Sequence, residues 1–138
     1  MTEQEFIESI DFSFPYEDKE KAVELIEKGR ALSVNASFMV LHEIVRAPSE
    51  VALETKESLY DYWCNGFSHK LFEPVKEAAS ALLEGKVIPV SRAIELMREI
   101  EKDKDQYCAL SIVYFSCDDT EGKADRKYNQ VIEQWQSA

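Results

Sequence analysis

Apolar residues recur at the helical period along most of the chain, and the fullest case lies between Ser33 and Pro48, in SVNASFMVLHEIVRAP. Val34, Phe38, Leu41 and Val45 fall on one stripe, which Val40 and Ile44 widen. Asn35, His42, Glu43 and Arg46 take the remaining side. An apolar arc this wide exceeds what a surface helix needs and predicts a helix wedged between neighbours. Ser33 suits the N-cap, and Pro48 forbids continuation because it lacks an N–H and restricts the residue before it.

The same period places the other elements. Thr2 with Glu5 makes a capping box ahead of Phe6, Ile7 and Ile10. Asp11 to Tyr16 reads as a connection whose Phe12 and Phe14 plug the core. A second helix runs from Pro15 or Glu17 to Lys28, with Ala22, Val23, Leu25 and Ile26 inward and Gly29 as its C′ residue. Ser49 caps a helix that reaches Cys64 and ends at Asn65-Gly66, with Val51, Ala52, Thr55, Leu59, Tyr62 and Trp63 on its apolar face. Pro74 fits the first turn of a helix carrying Val75, Ala78, Ala79, Leu82 and Leu83, which stops at Gly85. Pro89 and Ser91 open another, with Val90, Ile94, Met97 and Ile100 inward. Gln106 to Cys117 is apolar all round, and Ile112 to Phe115 has strand propensity. No other stretch offers a partner strand, so it reads as a buried helix, with a strand as the open alternative. The last helix, Thr120 to Gln136, presents Tyr128, Val131, Ile132 and Trp135.

These elements predict an all-α fold of seven or eight short antiparallel helices, an irregular stack of α-hairpins filling a single domain over residues 1–138. No repeat at the periods of about 34 to 47 residues typical of helical solenoids is visible. A chain of 138 residues buries a core without staples, and 45% hydrophobic with 31% charged residues argues for a globular protein. The N-terminus has acids where a signal peptide needs a basic region, and no run approaches the roughly 18 apolar residues of a membrane span. Cys64, Cys108 and Cys117 lie in apolar surroundings without CxxC spacing, which fits reduced thiols and a cytoplasmic location.

A net charge of −11 disfavours nucleic acid and anionic membrane as partners and favours a basic protein. The excess is uneven: residues 1–69 hold 14 acids and 6 bases, net −8, and residues 70–138 hold 13 and 10, net −3. Its sharpest form is a line of carboxylates. Glu50, Glu54, Glu57 and Asp61, spaced 4, 3 and 4, share one line of the predicted helix opposite Leu59 and Trp63. Like charges at i,i+4 cost a helix about 0.2–0.5 kcal/mol per pair. Such a line serves either as a solvated outer face or as a contact face whose repulsion a basic partner relieves. Tyr60, Tyr62 and Trp63 flank it, as core residues or as acceptors of Lys and Arg through hydrogen bonds and cation–π contacts.

Asp118, Asp119 and Glu121 form a second acidic group, with Asp125 a turn later. As a calcium loop it fails, because Gly122 comes too early; charge for the start of the last helix is the alternative to partner contact. His42 and His69 have no second histidine at i+4 and no HExxH, which leaves no metal ligand set. Cys64 sits in an acidic stretch, the opposite of what a nucleophilic thiol requires. No GxGxxG, P-loop, GxSxG or kinase signature occurs, so neither a cofactor nor an enzymatic reaction is predicted.

In composition and architecture the whole chain resembles the small, acidic, all-helical immunity proteins of bacterial toxin systems, such as those of contact-dependent growth inhibition. The resemblance implies an acidic surface that docks on the basic active site of a nuclease toxin. The expected contacts are Glu50, Glu54, Glu57 and Asp61, then Asp118, Asp119 and Glu121. Two other classes stay open: a helical adaptor that binds a peptide or protein in a groove between helices, and a small helical enzyme.

Overall fold

The computed structural model describes residues 1–137, with the side chains of Asp11 and Phe12 not described. It contains α1 (Glu3–Ser13), α2 (Lys19–Leu32), α3 (Val34–Val45), α4 (Leu53–Cys64), α5 (Phe72–Leu83), α6 (Val90–Ile100), α7 (Tyr107–Phe115) and α8 (Lys123–Ser137). The fold is all-α, as the periodicity predicts, and the ambiguous stretch at Gln106 to Cys117 is helical over α7. Among the described residues the β pairing is one isolated parallel bridge between Ile88 and Cys117, made by the Ile88 N–H on Ser116 O at 2.9 Å. No helix is long and apolar enough to cross a membrane.

The helices form two compact units, residues 1–69 and residues 70 onward. In the first, α3 packs on α1, α2 and α4 and is buried nearly all round, with Phe38, Val40, Leu41 and Ile44 at 0% exposure. Its wide apolar arc has this cause: three neighbours leave little of the helix wet. The Ser33 hydroxyl caps α3 by accepting from the Ala36 N–H at 3.0 Å, as expected. In the second unit α7 takes the corresponding place and packs on α5, α6 and α8.

The order of parts recurs as well. Phe6 and Ile10 on the first helix of one unit are buried with Phe14 at its C-cap, and Val75, Ala79 and Leu83 are buried at the same spacing along the first helix of the other. Ala22 and Ile26 answer to Ala93 and Met97, and Leu59 and Trp63 to Val131 and Trp135. Each tryptophan donates its indole N–H to a backbone carbonyl: Trp63 to Ser37 O at 2.9 Å, Trp135 to Glu101 O at 3.0 Å. The matched positions lie 69 to 72 residues apart, longer than the periods of about 34 to 47 residues typical of helical solenoids.

Several boundaries differ from the expected ones. The Thr2–Glu5 capping box forms, but α1 continues to Ser13 instead of giving way to a connection at Asp11. The hydroxyls of Ser9 and Ser13 bond back to the carbonyls of Phe6 and Ser9, which lets both serines remain helical. Phe14 is buried, while the expected plugging by Phe12 lies outside the described side chains. α2 begins after Asp18, whose carboxylate accepts from the Lys21 N–H, and runs on to Leu32. Gly29 is therefore not a C′ residue but an interior, buried one. A Cβ there would come 3.1 Å from Val40 Cγ2 and 3.3 Å from Ala36 O, so its lack of a side chain lets α2 approach α3 closely. Gly29→Val is expected to lower stability by about 1–3 kcal/mol through overpacking, read as a reduced urea midpoint at unchanged slope.

α4 begins at Leu53, with Ala52 as an N-cap lacking a side-chain hydrogen bond, and not at Ser49. A turn occupies Pro48 to Val51, closed by the Val51 N–H on Pro48 O at 3.0 Å, so the serine is used up before the helix starts. α5 ends as predicted. Gly85 adopts φ +70 and the Lys86 N–H reaches Ala81 O at 2.8 Å, the Schellman closure that a left-handed residue permits.

Candidate partner-binding surface

α4 is seated firmly in the first unit. Leu59 and Trp63 anchor its inner face, and the Trp63 ring lies 4.3 Å from that of Phe67 and 5.8 Å from that of Phe38, centroid to centroid. Its C-terminus is held from α2. The Nη2 of Arg30 donates to Tyr62 O, Trp63 O and Asn65 O at 2.7, 2.5 and 2.8 Å, placing a guanidinium where the last carbonyls and the helix dipole concentrate negative charge. Arg30 also pairs with Glu27 at 3.0 Å and lies over the Tyr62 ring, whose hydroxyl donates to Glu27 at 2.7 Å. The sequence gives no sign of this anchor, because an arginine late in α2 reads as surface charge and its acceptors lie more than thirty residues on.

On the outer side of α4, Glu54, Glu57 and Asp61 keep the expected single line and are all exposed. Glu50 is also exposed but sits in the turn ahead of the helix, so the predicted line of four is a helical line of three preceded by one carboxylate on a turn. None of the four makes a salt bridge among the described residues. The second unit contrasts with this: Glu77, Glu84, Glu95, Glu99, Glu101, Asp103 and Glu121 each lie within 4.0 Å of a lysine or arginine nitrogen. Glu50, Glu54, Glu57 and Asp61, without a salt bridge among the described residues, concentrate negative charge on this side of the first unit.

The flanking aromatics divide. Trp63 is core at 0% exposure, and Tyr62 is engaged with Glu27 and Arg30. Between the start of α2 and the start of α4 lies a groove of about 480 Å³. Glu17 and Lys19 line it from one side, Glu50, Val51, Ala52, Glu54, Thr55 and Ser58 from the other, with Tyr16 and Leu59 in its wall. Two of the four predicted contact residues thus open on a concavity that sequence spacing alone does not reveal.

The second acidic group belongs to the second unit and works differently. Asp119 Oδ1 accepts from the Ala124 N–H at 3.0 Å and Oδ2 from the Asp125 N–H at 2.9 Å, so its carboxylate caps α8, which starts at Lys123 and not at Thr120. Partial burial works to raise its pKa, but these amide donors outweigh it and the pKa is lowered. Asp118 is exposed, and Glu121 pairs with Lys123 at 3.1 Å.

One cysteine and one histidine are shifted from their ordinary pKa values. Burial, with Asp119 nearby, raises the Cys117 thiol and keeps it protonated. His42 is buried in α3, with Arg46 Nη1 at 3.4 Å from its Nε2; burial, then the arginine charge, pushes it down to about 3. The Tyr114 hydroxyl, donating to Asp125 at 2.8 Å, is raised to about 12 by that bond. Among the described residues no group of three His, Cys, Asp or Glu side chains converges to hold a metal. No protein-family model matches the chain, and no curated protein or solved structure matches it significantly.

Proposed function

We propose that the protein binds a basic partner protein in the cytoplasm and neutralises it by covering its active site, as an immunity protein does for a nuclease toxin. The observation that carries this reading is the row Glu54, Glu57 and Asp61 with Glu50 beside it, exposed and unpaired on a helix that Trp63 and Arg30 hold in place. Carboxylates kept free of internal partners at a fixed spacing stand in for the phosphates that a nuclease cleft is built to hold. Each is ready to accept from lysine or arginine without first breaking an ion pair, and their common field speeds encounter. Asp118, Asp119 and Glu121 supply a second set of contacts, of which Asp118 is the least committed within the protein.

Reversing two charges of the row, Glu54→Lys with Asp61→Lys, is expected to weaken partner binding at least about tenfold at low ionic strength while the helical circular dichroism stays unchanged. The partner is found by pull-down at low salt and mass spectrometry, and its association rate in wild-type protein should fall steeply as salt rises. Binding that survives the double reversal reduces the row to a solvated face. Association that ignores salt points instead to an apolar groove of the adaptor kind.

A further inference from the structure

We infer that the groove between the start of α2 and the start of α4 is an anchor pocket for one arginine or lysine side chain of the partner, an identification that rests on that partner being basic. Its volume of about 480 Å³ lies within the range of small-ligand sites, about 300–1,000 Å³. It is far too small for a folded element and suits one long side chain with its backbone. Three carboxylates, Glu17 ahead of α2 and Glu50 and Glu54 around the start of α4, open on it against one base, Lys19, and none of the three makes an ion pair among the described residues. Two helix N-termini also face this region, and these favour anions by about 0.3–1 kcal/mol each at exposed sites. A net of two negative charges at close range outweighs them, so the guest is a cation.

The walls fit the rest of such a side chain. Val51 and Ala52 offer apolar surface to an aliphatic stem, above a floor closed by the buried Leu59. The hydroxyls of Thr55 and Ser58 also line the groove, and neither makes a hydrogen bond to another described residue, leaving both as acceptors for guanidinium or ammonium N–H groups. The pocket exists before the guest arrives. The Tyr16 hydroxyl donates to Glu43 O at 2.5 Å and its ring packs 4.8 Å from that of Phe14, while Leu59 is 1% exposed. Preformed walls spare the ordering cost that binding otherwise carries. Glu57 and Asp61 lie on the same line of α4 but outside the groove, so the acidic row divides into a pocket end and an open end.

The test uses the full chain and a capped peptide, acetyl-Ala-Arg-Ala-amide, with a citrulline peptide as its neutral isostere, followed by amide chemical shifts at low salt. Saturable shifts at Val51, Thr55 and Ser58 are expected with arginine and not with citrulline. Ala52→Trp fills the groove without altering charge and should weaken binding about tenfold, as should the isosteric Glu54→Gln. Glu24→Gln removes one exposed α2 charge outside the groove and should leave the affinity unchanged. Unsaturable shifts spread over all exposed acids, equal in wild type and Ala52→Trp, overturn the pocket while the acidic-mask reading stands. Saturable binding in the groove by a protein whose basic partner is never captured upholds the pocket and sinks the mask instead.

Discussion

Replacing Trp63 by alanine is expected to cost the fold about 3–5 kcal/mol, measured by urea unfolding followed through helical circular dichroism. The side chain is completely buried between α4 and α3, in ring contact with Phe38 and Phe67. Truncation leaves a void that its rigid neighbours cannot fill. It also strips the Ser37 carbonyl of the indole N–H it accepts at 2.9 Å, leaving a buried acceptor unsatisfied. Trp63→Phe separates the two costs, since it keeps much of the ring packing and loses the donor. An equal loss in both variants would assign the effect to the hydrogen bond. A loss below about 1 kcal/mol in the alanine variant would mean that α4 is not seated through this residue.

Acidification should weaken the protein before its carboxylates begin to titrate, because His42 is held neutral. Its ordinary value is 6.5 and its value in the fold is about 3, owing to burial and then to Arg46. Below about 6.5 the unfolded chain takes up a proton that the folded chain refuses until about 3, so stability is full above this window and falls as pH drops through it. The slope approaches about 1.4 kcal/mol per pH unit. Unfolding curves at pH 7.0, 6.0 and 5.0 should therefore show midpoints that decline for the wild type. His42→Gln should begin lower at neutral pH and decline less. Parallel declines in the two proteins would place the acid sensitivity elsewhere.

The elements most legible in the sequence were those whose signals are local. The Thr2–Glu5 box, the Ser33 cap, the Gly85 stop and the wide stripe of α3 each depend on a few neighbouring residues, and each is found where it was expected. The structure departs from the sequence expectation where a local preference competes with a tertiary one. Gly29 resembles a helix terminator until α3 is packed against it, and Ser49 resembles a cap until the Pro48 turn closes. α7 could be settled as a helix by the absence of partner strands, although its own residues favour either state. The acidic row was visible at helical spacing except for Glu50, which needed the correct start of α4. Arg30 under the end of that helix, and Tyr16 and Glu17 across the groove from it, leave no local sign, because what they meet lies 27 or more residues along the chain.

Within each unit a helix packs on partners one or two helices along the chain, and the third helix meets all the others. Bringing such neighbours together closes only short loops, so the entropy lost before contacts form is small and folding belongs to the fast regime of helical proteins. During synthesis the packings of α1 to α4 become available once their own residues have emerged. The groove beside the acid-bearing face of α4 is lined entirely by residues from Tyr16 to Leu59, so every part of it has been synthesised before the second unit begins.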